Sequence, residues 1–167
     1  AMRLHTIDAG AGLHFGEQAL RLAEQIHDTL LQIRAHNAVG ANRWIRGEYS
    51  VAAKEYMRAL ELAEAIRSPY DMGVGMNNMG LLCRNIGMKE RAESYLREAV
   101  RLRRSLGDRT GLTRSLLNLG LLLFETGRFD SSRIFHEQSL QLAMKAGDTL
   151  NHARNLHYLG RIERTRG

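Results

Sequence analysis

The sequence of 167 residues has one proline, one cysteine and few aromatic residues, and no long apolar run. Its lone cysteine, Cys83, cannot form an intramolecular disulfide, so a disulfide framework is excluded and we expect a cytoplasmic protein. No stretch of 18 apolar residues is present, so we expect no membrane-spanning helix. With 44% hydrophobic and 25% charged residues, the composition indicates a soluble chain that can form a continuous core.

Motifs of catalysis and metal binding are also missing. The sequence contains no phosphate-binding loop, no cluster at metal-ligand spacing and no nucleophile elbow. Its seven histidines are scattered, and His152 and His157 are five residues apart, so they do not share a helix face. We therefore expect no enzyme activity, no catalytic residue, no metal site and no cofactor.

Glycine, in contrast, is abundant and regularly spaced. One series consists of Gly40, Gly80, Gly120 and Gly160, and a second of Gly47, Gly87, Gly127 and Gly167, so both series have the same period of 40. A fixed period of 20 to 50 residues is typical of repeat proteins, in which each unit stacks on its neighbours. Because stacked repeats form extended surfaces, the period indicates a binding scaffold.

Between the glycines, apolar residues follow helical spacing, as in Ala52, Tyr56 and Ala59. Gly47, Gly87 and Gly127 are predicted to end helices in the left-handed conformation, and Asp28, Ser68, Asp108 and Asp148 to cap helix N-termini. The glycines of the first series lie inside helices, where we expect them to contact small residues of the partner helix. The predicted helices lie near 12–27, 29–46, 48–67, 69–86, 88–106, 108–126, 128–146 and 148–165.

The spacing resembles that of the tetratricopeptide repeat (TPR) family. One repeat reads His36, Val39-Gly40, Ala52, Tyr56, Ala59, and another reads Leu116, Leu119-Gly120, Ser132, His136, Ser139. The period of 40 is similar to the long-repeat variety found in Pins/LGN scaffolds, kinesin light chain and bacterial signalling proteins. Arg43, Cys83 and Leu123 depart from the pattern by replacing an aromatic residue, and His36 replaces a bulky apolar one. The resemblance implies an all-α, right-handed solenoid of about eight helices in antiparallel pairs.

The resemblance also implies one array over residues 1–167. It would comprise a half repeat at 8–28, full repeats at 29–68, 69–108 and 109–148, and a half repeat at 149–167. We expect this to be a piece of a longer protein. The terminal helices would lack partners, and apolar Leu156, Leu159 and Ile162 on the last helix favour a homodimer.

In the TPR family, the first helix of each pair lines a concave groove. The groove residues implied here are Arg34, Asn37, Trp44, Asn77, Asn78, Leu81, Arg84, Arg114, Asn118, Leu121, Arg154, His157 and Arg161. Asparagine suits a peptide backbone because its amide both donates and accepts, and arginine suits carboxylates. Alternatively, the arginines are solvated or paired with glutamate, Asn78 and Asn118 join neighbouring repeats, and Trp44 packs between helices.

The function favoured is a protein- or peptide-binding module, with an acidic ligand, that serves as the sensor or interaction domain of a larger bacterial signalling or transcription-regulating protein. A self-assembly scaffold with open repeat ends is the alternative. Direct nucleic-acid binding is less favoured. Arg97, Arg101 and Arg104 share a helix face, but Glu93 and Glu98 partly neutralise it.

Overall fold

A computed structural model describes residues 9–165, which form eight α-helices and no strand. The helices are α1 (Ala9–Gln25), α2 (Thr29–Ile45), α3 (Tyr49–Ala65), α4 (Pro69–Asn85), α5 (Lys89–Ser105), α6 (Arg109–Glu125), α7 (Phe129–Ala146) and α8 (Thr149–Arg164). All eight predicted helices are confirmed. Their ends differ from the prediction by three residues at most, at the start of α1, which begins at Ala9 and not at 12. None of the described helices is long and apolar enough to cross a membrane.

A left-handed residue ends each of the first seven helices, so that two such residues occur in each period of the sequence. These residues are His27, Gly47, Arg67, Gly87, Gly107, Gly127 and Gly147. The predicted left-handed glycines are therefore confirmed within 9–165, and Gly167 lies outside the described residues. His27 and Arg67 adopt positive φ without glycine, a conformation that costs a side chain with a Cβ about 1 kcal/mol or more.

Side-chain capping alternates along the chain with the same period. Asp28, Asp108 and Asp148 each accept a hydrogen bond from a backbone N–H three residues on, at 2.9 to 3.0 Å. Ser68 accepts one from Asp71, at 3.3 Å, and its hydroxyl donates to the Asp71 carboxylate. In contrast, the residues before α3, α5 and α7 make no side-chain cap. The aspartates and the serine thus fix the start of every even-numbered helix from α2 to α8.

The described residues divide into two compact units, one ending at Asp71 and one starting at Met72. In the first unit, α2 packs between α1 and α3 in antiparallel pairs. His36 Nδ1 lies 2.7 Å from Glu55 of α3, and Arg43 bonds to Glu48 before α3 and to Glu17 of α1. His36 and Arg43, which depart from the apolar or aromatic residues of the repeat pattern, therefore form polar contacts between helices.

The second unit contains two layers of helices. Leu96 of α5 and Leu116, Leu119, Leu122 and Leu123 of α6 form its buried core. Asn77 of α4 bonds to α6, and Phe124 of α6 contacts Tyr158 of α8, so α4, α6 and α8 lie side by side. Arg104 of α5 bonds to Gln138 of α7, so these two helices form the other layer. The all-α fold of paired antiparallel helices predicted from the resemblance is confirmed.

The periodic glycines inside helices make room for large side chains, which corrects the expectation of small residues facing one another. A Cβ at Gly120 would lie 2.9 Å from the ring of His136, and one at Gly80 would lie 2.6 Å from Leu96. Tyr56 lies over Gly40 in the same way. The small residues flank this contact, as Ser132 does when its hydroxyl donates to the Gly120 carbonyl at 2.8 Å.

Candidate functional site

The predicted groove residues of the second unit lie on α4, α6 and α8, and we call this surface the even-helix face. It is defined by Asn77, Asn78, Leu81, Arg84, Arg114, Asn118, Leu121, Arg154, His157 and Arg161. The structure places these residues on three neighbouring helices, as predicted. Arg114, Arg154 and His157 are exposed and the rest are half-buried.

Arg114 and Arg154 occupy the second turns of α6 and α8 and are available for an anionic ligand. Neither forms a salt bridge with a carboxylate within the described part of the chain. The hydrogen bonds of Asn151 hold the pKa of Asp148 below its ordinary value, and the positive charges of Arg154 and Arg114 lower it further. This shared influence on Asp148 indicates that the two guanidinium groups act on one region of the surface.

An aromatic cluster lies further along the same helices. The rings of Phe124 and Tyr158 meet edge to face, with centroids 5.8 Å apart. The Arg161 guanidinium lies 4.5 Å from the Phe124 centroid and 5.6 Å from that of Tyr158. Such cation–π contacts hold the arginine side chain in place. The cluster therefore presents an ordered apolar surface with one positive charge.

The asparagines of the face take part in packing between helices. Asn77 Oδ1 accepts hydrogen bonds from Ser115 Oγ and Asn118 Nδ2, each at 3.1 Å. For Asn118, the alternative of joining neighbouring repeats thus describes the observed bond. Asn78 is half-buried beside it. Arg84 is also engaged, with its Nε 3.5 Å from Glu125.

The predicted groove residues of the first unit, Arg34, Asn37 and Trp44, all lie on α2. Arg34 is exposed, whereas Asn37 and Trp44 are half-buried. The Asn37 amide donates to the Ile33 carbonyl at 3.0 Å, one turn back along the helix. Trp44 Nε1 is buried and makes no hydrogen bond among the described residues.

Two buried polar groups of the second unit were missed by the sequence analysis. The first joins His136, Ser139 and Asn155, none of which is exposed to solvent. His136 Nδ1 lies 2.9 Å from Asn155 Oδ1, and Asn155 Nδ2 donates to Ser139 Oγ at 2.9 Å. Because an amide oxygen only accepts, Nδ1 carries the proton and His136 is neutral. Its pKa is lowered by burial.

The second group is an ion pair between Arg103, which is 4% exposed, and Asp108, the N-cap of α6. At the position of Arg103, neighbouring repeats have Ala63 and Ala143. The guanidinium fits because Gly111 has no side chain there, and a Cβ on Gly111 would overlap it. An arginine where the period expects alanine, matched by a new glycine, is the signal that could have revealed this pair.

Residues with the chemistry of nucleophiles or metal ligands form no such site in the described chain. Burial raises the pKa of the Cys83 thiol, which keeps it protonated and unreactive. No group of three or more histidine, cysteine, aspartate or glutamate residues within 9–165 could hold a metal ion. What the structure offers is an exposed binding face.

Comparisons with known proteins agree with this fold. Sequence profiles described as Tetratricopeptide repeat match residues 75–106 and 111–167. The apo form of RapI is similar in structure, with a TM-score of 0.81, 16% identity, and coverage of 88% of this chain and 54% of RapI. Aspartyl phosphate phosphatase F from Bacillus subtilis gives a TM-score of 0.83, 18% identity, and coverage of 90% and 40%. BtubC (BKLC) from P. vanneervenii gives 0.72, 18%, 96% and 75%. The chain thus spans about half or less of the first two proteins.

Proposed function

The chain belongs to the tetratricopeptide repeat family, and from that premise we propose that it is a protein-interaction scaffold whose even-helix face binds an extended, acidic segment of another protein. The observation that carries the proposal is the pair Arg114 and Arg154, which are exposed on neighbouring helices and have no salt bridge with a described carboxylate. A guanidinium binds a carboxylate through two parallel hydrogen bonds, which favours aspartate or glutamate as its partner.

The dimensions of the face suit a short extended segment. Arg114 and Phe124 are ten residues apart on α6, which corresponds to about 15 Å along the helix axis at 1.5 Å per residue. An extended peptide covers that distance in about four to five residues, at about 3.3 Å each. A ligand with carboxylates at one end and an apolar side chain at the other would contact both the arginines and the aromatic cluster.

The proposal is tested with a double variant that leaves the helix packing intact. Arg114→Gln/Arg154→Gln removes two exposed charges, whereas Asn118 is left unchanged because it bonds to Asn77. An acidic peptide library screened against the wild type and this variant should lose its binders, by about 1.5–3 kcal/mol for each arginine–carboxylate contact. The control, Arg58→Gln, removes an exposed arginine of the first unit. Equal binding by the wild type and the double variant would refute the proposal.

We further propose that this binding face serves as the sensor or interaction domain of a larger bacterial regulatory protein, and that its role is binding and not catalysis. The support is the similarity in fold to RapI and to aspartyl phosphate phosphatase F, each of which is longer than the chain. The long-repeat resemblance adds to this. Expressing the chain fused to its neighbouring sequence, and measuring that sequence's activity with and without a bound peptide, would test the regulatory role.

A specific observation also favours the second candidate, self-assembly through open helix faces. Gly40, Gly80 and Gly120 are each covered by a large side chain of the following helix, whereas nothing described lies within 4 Å of a Cβ at Gly160. Next to it on α8, Leu156 is 52% exposed. In the first unit, α1 exposes Phe15, Leu22 and Ile26. Concentration-dependent association of the chain would support this candidate.

Salt dependence separates protein binding from the less favoured nucleic-acid binding. Phosphate contacts release counterions, so duplex affinity falls with a slope close to the number of phosphates contacted. A peptide that also packs on Phe124 and Tyr158 should keep much of its affinity at high salt, since apolar contacts are not screened. Submicromolar duplex binding with a slope of several units would favour the nucleic-acid alternative instead.

A further inference from the structure

A second surface, in the opposite layer of the second unit, has the features of a binding site. An open cleft of about 460 Å³ lies between α5 and α7. Val100, Leu119 and Phe135 form its apolar floor, and Arg97, Arg101 and Arg104 follow one wall. A cleft with an apolar floor and a few polar groups at its edge is the usual form of a ligand site.

The positive charge of this wall is only partly compensated. Arg97 pairs with Glu93 at 2.8 Å and Arg101 pairs with Glu98, but Glu93 also serves Arg128 from the start of α7. Arg104 donates to the neutral amide oxygen of Gln138, at 3.0 Å, and has no salt bridge with a described carboxylate. Four arginines therefore share two glutamates at this cleft.

The pairs that do form are easily exchanged for others. Arg97 and Arg101 are both more than half exposed, and solvent-exposed ion pairs contribute about 0–1 kcal/mol. A partner's carboxylates could therefore replace Glu93 and Glu98 at little cost. The three arginines are four and three residues apart, so they are about 6 Å and 4.5 Å apart along the helix axis. Carboxylates along one side of a partner segment would match them.

We propose that this cleft binds an acidic segment of a partner protein, which inserts one bulky apolar side chain onto Val100, Leu119 and Phe135 while its carboxylates contact the arginine wall. The open side of the cleft decides between occupants. Small ligands are usually bound with most of their surface buried, whereas a side chain of a protein partner needs only its own pocket. The inference concerns a surface distinct from the even-helix face and does not depend on that proposal.

The test uses a defined probe, a fluorescein-labelled peptide in which one phenylalanine lies between pairs of glutamates. Titrations are made in the Arg114→Gln/Arg154→Gln background, which disables the proposed site on the even-helix face. There, Arg101→Gln/Arg104→Gln should weaken probe binding about tenfold, as expected for the loss of charge-assisted contacts. Glu98→Gln should change affinity in the opposite direction and tighten binding about twofold, because it releases Arg101 from its intramolecular pair.

A second readout locates the probe on the surface. With benzoylphenylalanine in place of its phenylalanine, the probe should crosslink to α5 or α7 near Val100 and Phe135. Unchanged affinity in the Arg101→Gln/Arg104→Gln variant, equal binding of a probe with glutamine in place of glutamate, or crosslinks confined to α4, α6 or α8 would each overturn the proposal. So would duplex DNA that binds more tightly than the probe and depends on the same arginines.

Discussion

At the scale of single residues, the left-handed helix ends show where the sequence is not optimal for its fold. Gly107 and Gly147 adopt φ of 67° and 66°, and the equivalent Arg67 adopts 52°. Glycine takes up this conformation without steric cost, whereas a residue with a Cβ does so against the contact between its Cβ and a carbonyl oxygen. The exposed Arg67 therefore reduces stability at a position where the repeat pattern would have glycine.

We predict that Arg67→Gly raises the free energy of unfolding by about 0.5–1 kcal/mol, the gain in left-handed conformation less the added entropy of the unfolded chain. The matched change in the reverse direction, Gly107→Ala, should lower it by about 1 kcal/mol. Urea denaturation of both variants and the wild type provides the measurement. If Arg67→Gly is neutral or destabilising, the left-handed strain inferred at this residue is absent.

His136 couples the stability of the second unit to pH. Burial lowers its pKa in the folded state, while the unfolded value remains near 6.5. Above pH 6.5 both states are neutral, and the full stability is present. As the pH falls below 6.5, the unfolded chain binds a proton that the folded chain resists, so stability is lost by at most about 1.4 kcal/mol per pH unit.

A substitution copied from the neighbouring repeat removes this pH dependence. His136 and Asn155 correspond to Leu96 and Ser115, which lie one period earlier in the sequence. We predict that His136→Leu/Asn155→Ser loses less stability than the wild type between pH 6.5 and 5, because no buried imidazole remains. Changing His136 alone would leave the Asn155 carbonyl unsatisfied, at a cost of about 1–3 kcal/mol. Parallel slopes for the wild type and the double variant over this range would contradict the prediction.

At the scale of helices, identical glycines have opposite roles according to what covers them. A Cβ at Gly120 would come within 2.9 Å of the buried His136 ring, which is held by its bond to Asn155. We predict that Gly120→Ala destabilises the protein by about 2 kcal/mol, since the ring must move from its packed position. Gly160→Ala has nothing within 4 Å and should stabilise α8 by about 0.5–1 kcal/mol through helix propensity. Thermal unfolding of the two variants checks both signs, and a destabilising Gly160→Ala would mean that this face is already covered.

The helices, their caps and the even-helix face could be predicted because they depend on local patterns that recur in every repeat. Asp108 and Gly47, for example, act through residues close in sequence. The buried contacts between helices could not be predicted in the same way. Asn155 meets His136 and Ser139 only after two helices pack, and Asn118 bonds to Asn77 although the two are far apart in sequence. In these cases the periodic pattern identified the position but not its partner.

At the scale of the whole molecule, the open face of α8 differs from the one predicted. Leu156, Leu159 and Ile162 were expected to form an exposed apolar stripe, but Ile162 is fully buried and belongs to the core of the second unit. The exposed residues are Leu156 and the uncovered Gly160. A small residue next to an exposed leucine allows close approach of another helix, as Gly120 does for the helix that carries His136.

The self-assembly candidate can therefore be tested at Leu156 without disturbing the core. If two chains pair through α8, as the frequency of two-fold dimers favours, the wild type should self-associate at high concentration. Leu156→Asn should weaken the dimer about tenfold, since it places a polar group at the centre of the contact. Ile134→Asn, which changes an equally exposed residue of α7, is the control and should leave the dimer unchanged. Sedimentation equilibrium with circular dichroism separates dissociation from unfolding, and a wild type that stays monomeric at hundreds of micromolar would refute the dimer.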